Sequence, residues 1–82
     1  MFHEIASLLD LLNELCNREE SLPTRYKKEI QDRAATYQFI LNLVQEKDLS
    51  YLSETQSSII NERIRETNAN IKYVATTVSE EV

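Results

Sequence analysis

Cys16 and His3 are the only side chains in this sequence that could form a nucleophile and its base, because the chain has one cysteine and one histidine. Helical periodicity places both on the first predicted helix, 13 residues apart, which is about 20 Å along the axis. A nucleophile and its base need hydrogen-bond reach, and a straight helix cannot close that gap. We therefore predict that Cys16 is a small buried apolar residue, that His3 lies on the surface, and that there are no catalytic residues.

Metal and cofactor ligands are also sparse. A zinc site needs several cysteine or histidine ligands, and the Glu-x-x-His combination of di-iron bundles does not occur. The paired carboxylates Glu19-Glu20 and Glu80-Glu81 lie in segments that we expect to be a solvated connector and a solvated tail. The chain has no glycine for a phosphate-cradling loop. We predict a protein that is not an enzyme, with no metal, no cofactor and no small-molecule substrate.

Length and charge limit the remaining classes. The chain has 82 residues and a net charge of −5, which predicts one domain and disfavours binding to a phosphate backbone. A single cysteine excludes an intramolecular disulfide. No apolar run approaches the roughly 20 residues of a membrane helix, and no cationic segment precedes the first apolar residues. We expect a soluble cytoplasmic protein that does not enter a membrane.

Three segments have apolar residues at spacings of three and four, as amphipathic helices do. They predict helices over about 2–17, 23–46 and 53–78, followed by an acidic tail over 79–82. The segment from Ser53 to Gln56 has the form of a capping box. The predicted core-facing stripes are Phe2, Ile5, Leu9, Leu12 and Cys16 on the first helix, Tyr26, Ile30, Ala34, Tyr37, Leu41 and Val44 on the second, and Ile60, Ile64, Thr67, Ile71, Val74 and Val78 on the third.

Short connectors make successive helices antiparallel neighbours. The sequence therefore predicts an all-α single domain. Its architecture is either an antiparallel three-helix bundle or a coiled-coil-like helical hairpin with a shorter N-terminal helix docked on it.

Two helices carry more apolar surface than one stripe needs. Leu8, Leu11 and Leu15 form a second facet on the first helix, and Phe39 and Leu43 lie to one side of the stripe on the second helix. Two explanations stay open. Each helix of a three-helix bundle touches two others, so the facets can belong to the core, or they can contact another chain.

The third helix is predicted to be longer than the first, at about 39 Å against about 24 Å. Its C-terminal half would then extend beyond its neighbours, and its apolar residues there would need cover. The predicted partner interface consists of Leu8, Leu11, Leu15, Phe39, Leu43, Ile71, Val74 and Val78.

Binding is the function that these features favour. The first interpretation is a small adaptor, assembly subunit or secretion-type chaperone that packs its apolar facets against a helix of another protein or of a second copy. The second is a small regulator or inhibitor, of phage or mobile-element type, that occludes a target protein. The third is a nucleic-acid-associated regulator that uses Arg25, Lys27 and Lys28, and the net charge argues against it.

The segment LVQEKDLSYLSETQ, from Leu43 to Gln56, resembles the small helical chaperones of flagellar and type III secretion systems. In both, a helix ends and an Asp-Leu-x-x-Leu segment leads into a long helix. The resemblance implies a helical chaperone that binds another protein. It covers about a sixth of the chain and many helical hairpins share it, so we assign the chain to no family.

Overall fold

The computed structural model describes the backbone of residues 1–80 and their side chains except those of residues 24 and 77–80. Three α-helices make up this part of the chain: α1 (Phe2–Glu20), α2 (Lys27–Gln45) and α3 (Glu54–Glu80). A 3-10 turn, Thr24–Tyr26, precedes α2, and no strand occurs within residues 1–80. The predicted all-α three-helix fold is confirmed.

The ends of the helices differ from the predicted ones. The first helix continues past residue 17 to Glu20, where the backbone N–H of Ser21 bonds to the carbonyl of Arg18. The second begins at Lys27 rather than at Pro23, since Pro23 accepts the hydrogen bond that closes the 3-10 turn. The third reaches Glu80, so the predicted tail over 79–82 overlaps its last turn, and its other residues, 81–82, lie outside the described part.

The helices run up, down and up, so α1 and α3 are parallel. Asp10 of α1 pairs with Arg63 of α3, and further toward the C-terminus of both helices Asn13 accepts a hydrogen bond of 2.8 Å from Asn70. Both α1 and α2 pack along α3, and they contact each other much less extensively than either contacts α3. The third helix is therefore the shared support of the other two.

The core follows the predicted stripes. Its buried apolar residues are Ile5, Leu9, Leu12, Cys16, Ile30, Ala34, Tyr37, Leu41, Val44, Ile60, Ile71 and Val74, with Thr67 as a buried polar member. Phe2, Tyr26 and Ile64 are partly buried against them. Spacings of three and four placed these side chains on one side of each helix, and that side faces the other two helices.

The expectation that the C-terminal half of α3 would extend uncovered beyond its neighbours is wrong for Ile71 and Val74. Both side chains are fully buried in the core. Because α1 runs parallel to α3, its C-terminal turns lie beside this half of α3, as the bond between Asn13 and Asn70 demonstrates. The side chain of Val78 lies outside the described residues.

The connection into α3 is organised by two polar motifs. Asp48 accepts a hydrogen bond from the backbone N–H of Ser50, and this bond holds the pKa of the Asp48 carboxyl below its usual value. Ser53 and Gln56 then form both bonds of the predicted capping box. The N–H of Gln56 donates to Ser53 Oγ, and the N–H of Ser53 donates to Gln56 Oε1, each at 3.2 Å. These bonds satisfy backbone groups that the first turn of a helix leaves unpaired.

Candidate protein-binding face

The two residues that first suggested nucleophilic chemistry lie in different environments. Cys16 is completely buried, and burial raises the pKa of its thiol to about 11, with smaller contributions from the charges of Glu20 and Glu19. His3 is exposed, and its ring lies edge-on to that of Phe2, with 5.3 Å between centroids. A buried, protonated thiol is a poor nucleophile, so Cys16 acts as an apolar core residue.

Among the described residues, no three His, Cys, Asp or Glu side chains are grouped so that they could hold a metal ion. In the same part of the chain, no helix has both the length and the apolar character needed to cross a membrane.

The prediction of a solvated Glu19 is wrong. Because α1 continues to Glu20, Glu19 falls on the core side of the helix and is 6% exposed. Arg33 of α2 donates to Oε1 at 2.8 Å through Nε and to Oε2 at 2.9 Å through Nη2, and Tyr37 donates its hydroxyl to Oε1 at 2.8 Å. A buried carboxylate is tolerated only when it is paired and hydrogen-bonded in this way. The side chains of Glu80-Glu81, the other predicted solvated pair, lie outside the described residues.

Electrostatics within this cluster keep the Tyr37 phenol protonated and the Arg33 guanidinium charged. Burial, followed by the hydrogen bond to Glu19, raises the pKa of Tyr37 to about 12. The hydrogen bond to Glu19 also raises the pKa of the Arg33 guanidinium. The cluster is therefore a neutral ion pair with a neutral phenol, and it joins the C-terminal end of α1 to α2.

The leucine facet of α1 lies on the flank that faces away from α3. Asp10 and Asn13, which contact α3, lie about 60° to 120° to one side of Cys16, the middle of the core stripe of α1. Leu8, Leu11 and Leu15 lie about 80° to 140° to the other side. The flank that carries the leucines also leads toward α2, because Glu19 lies on it.

The apolar facet of α2 lies on the flank that faces α1. Arg33 marks this flank, since it binds Glu19. Going round α2 from its core stripe to Arg33 and beyond, Ile40 lies about 20° and Leu43 about 80° past Arg33. Phe39 lies one turn before Leu43. The two facets, which the sequence placed on separate helices, therefore belong to one surface.

We call this surface the α1/α2 face. It consists of Leu8, Leu11, Leu15, Phe39, Ile40 and Leu43. Leu8, Leu15 and Ile40 form its floor and pack against the core. Leu11, Leu43 and Phe39 form its outer edge and are 48%, 47% and 62% exposed. The explanation by the core therefore holds for the floor, which packs against the bundle, and the outer edge stays exposed.

The residues of the α1/α2 face differ from those of the predicted interface. Ile71 and Val74 do not belong to it, because they are buried in the core. Ile40 belongs to it although it is not among the predicted interface residues. The helical wheel indicates this position, because Ile40 lies about 60° from Tyr37 on the side of Leu43.

The basic cluster of Arg25, Lys27 and Lys28 at the start of α2 is a separate feature. The guanidinium of Arg25 lies over the ring of Tyr26, 5.0 Å from its centroid, and its Nη2 donates to the Tyr26 hydroxyl at 3.4 Å. Tyr26 itself packs against the core. Lys28 is exposed. Arg25 is thus held to the protein's own surface rather than extended from it.

Comparisons of the chain with protein-family models, with curated proteins and with solved structures give no match.

Proposed function

We propose that this chain is a non-enzymatic protein-binding module that packs the α1/α2 face against a partner protein. One observation carries the proposal: Leu11, Phe39 and Leu43 expose about half or more of their side chains on the flanks of α1 and α2 that the Glu19–Arg33 pair joins. Contiguous apolar patches of this kind mark interaction sites on soluble proteins, whereas isolated exposed apolar residues need no explanation. The half-buried floor beneath them adds apolar area that a partner would remove from water.

Geometry favours a helix as the bound element. The face is bounded by two helices that lie side by side on α3, and their backbone groups are hydrogen-bonded within each helix. It therefore offers no strand edge for β-augmentation and is suited to the helix-in-groove mode. A fourth helix at the usual interaxial distance of about 8–10 Å would turn the three-helix arrangement into a four-helix one.

The test compares the proteins that the wild-type chain captures from a cell extract with those that three variants capture. The variants are Leu11→Glu, Phe39→Glu and Tyr73→Glu. Tyr73 is the matched control, because it is an exposed aromatic residue of α3, 57% exposed, away from the face. Any captured protein is then purified and titrated with the four chains. We expect a partner that binds the wild type and Tyr73→Glu but not the two face variants, with helicity unchanged in all of them.

A partner that is lost with Tyr73→Glu and kept with Phe39→Glu would contradict the proposal. The effect of binding on the captured protein also distinguishes an inhibitor from a chaperone or adaptor. An inhibitor would abolish the activity of its target, whereas a chaperone or adaptor would leave the bound protein active or keep it soluble. The same titration with the partner's own helix, as a peptide, tests whether a helix is the bound element.

A further inference from the structure

The charged residues around the α1/α2 face are mostly acidic. Glu4 lies one turn before Leu8, Glu14 lies three residues after Leu11, and Glu46 lies three residues after Leu43, so each adjoins the face at helical spacing. The bordering carboxylates are those of Glu4, Glu14, Glu29, Asp32 and Glu46, all on exposed residues. The bordering cations are Arg18, which pairs with Glu14, Lys28, which lies one turn before Asp32, and Lys47. Arg33 lies 2.8 Å from Glu19 and 3.9 Å from Glu29, so these three side chains together keep one negative charge.

From this border we infer that the partner element is an amphipathic helix with lysine or arginine on both sides of its apolar stripe. The inference rests on the proposed function and specifies the chemistry of its partner. Cations flanking the apolar stripe would meet carboxylates at both ends of the face, and complementary potentials of this kind select partners and speed association. A second copy of this chain would instead bring the same excess of carboxylates against itself.

The experiment uses the full chain and three synthetic peptides of equal length. The first has a leucine stripe at helical spacing with lysine flanks, the second has the same stripe with glutamate flanks, and the third is a scrambled version of the first with no stripe. Binding is measured by fluorescence anisotropy at low and at high salt. We expect the Kd of the lysine-flanked peptide to be about tenfold lower, or lower still, than the Kd of the other two peptides. The difference should shrink as the salt concentration rises.

Charge-reversal variants test whether the carboxylates around the face cause the preference for the lysine-flanked peptide. Asp32→Lys and Glu4→Lys change the border of the face. Glu62→Lys changes the net charge equally on the far side of α3, about 200° from Ile60. Circular dichroism checks that each variant is folded. We expect the first two variants to weaken binding of the lysine-flanked peptide severalfold and Glu62→Lys to leave it nearly unchanged.

Each contrary result has a distinct meaning. Equal binding of the lysine-flanked and glutamate-flanked peptides would overturn the inferred chemistry and leave the proposed function standing. Equal binding of the scrambled peptide, or equal loss with Glu62→Lys, would reduce the effect to net charge and overturn the inference. If no peptide binds and the chain self-associates until Phe39→Glu makes it monomeric, the occupant is a second copy. If no peptide binds and the chain is monomeric, both proposals fail.

Discussion

Glu19 and Arg33 form a two-bond ion pair in which the carboxylate is buried and the guanidinium is not. Glu19 is 6% exposed, whereas 39% of the Arg33 side chain is exposed. The two residues lie 14 positions apart and close the corner between α1 and α2. Because the leucine facet of α1 and the Phe39 facet of α2 lie on the flanks that this pair joins, it also sets how the two halves of the α1/α2 face are aligned.

The unequal burial of this pair predicts unequal effects of its two single substitutions. Arg33→Met removes the cation and leaves a buried carboxylate with only the Tyr37 hydroxyl, which is strongly unfavourable. Glu19→Gln removes the anion and leaves a guanidinium that water can reach. We expect Arg33→Met to lower the Tm more than Glu19→Gln does, as measured by circular dichroism.

The double variant Glu19→Leu with Arg33→Met is the control for that pair. Replacing a buried ion pair by apolar residues is often neutral or stabilising, so the double variant should be more stable than Arg33→Met alone. A larger loss for Glu19→Gln than for Arg33→Met would show that the stranded carboxylate is not the source of the cost.

Alkaline pH should destabilise the fold through Tyr37. Its pKa is about 12 in the folded state and about 10 in an unfolded chain, so the native state holds the proton more tightly. The resulting stabilisation is complete below about pH 10 and is lost as the pH rises to about 12, with a size of order 2 kcal/mol. Cys16 acts in the same direction over the range from about 9 to about 11, because burial raises its pKa.

A difference titration isolates the Tyr37 contribution. Tyrosinate absorbance is followed with pH in the wild type and in Tyr37→Phe, and the difference between the two curves should have its midpoint near pH 12. The unfolding free energy of the wild type, measured in urea, should fall over the same range more steeply than that of the variant. A difference midpoint near pH 10 would show that the phenol is not buried against Glu19.

Thr67 offers a stabilising substitution. It is fully buried in the middle of α3, and within the described part of the chain its hydroxyl has no hydrogen-bond partner. Burying an unpaired hydroxyl costs roughly 1–3 kcal/mol, and valine has nearly the same shape. We expect Thr67→Val to raise the unfolding free energy in urea by about 1 kcal/mol.

Thr36→Val is the matched control for Thr67. Thr36 is exposed, and its hydroxyl donates to the carbonyl of Asp32 at 3.1 Å. Its replacement should change the unfolding free energy by less than about 0.5 kcal/mol. If Thr67→Val were destabilising instead, its hydroxyl would have to be bonded in solution.

The capping box at the start of α3 should contribute measurably to stability. Ser53→Ala removes the side-chain acceptor for the N–H of Gln56, and loss of such a cap costs about 1 kcal/mol. Ser58→Ala, at an exposed position inside α3, is the control and should be neutral or slightly stabilising, since alanine is the better helix former. Equal effects in urea unfolding would show that the capping bonds contribute nothing.

Local features of the fold were predictable from sequence because their causes are local. Spacings of three and four determine which side of a helix is apolar. For this reason Leu9, Leu41 and Ile60 could be assigned to stripes that the structure buries completely. The capping box needs only residues three positions apart, and both of its bonds form.

What the sequence alone determined is the direction in which each side chain leaves its own helix. Only the tertiary structure decided what lies in that direction. Parallel packing of α1 on α3 covers Ile71 and Val74, and burial of Glu19 depends on Arg33 and Tyr37 from another helix. That Leu11 and Phe39 share one face is also a tertiary feature. The distance between two helices depends on how every side chain between them packs and not on periodicity along either one.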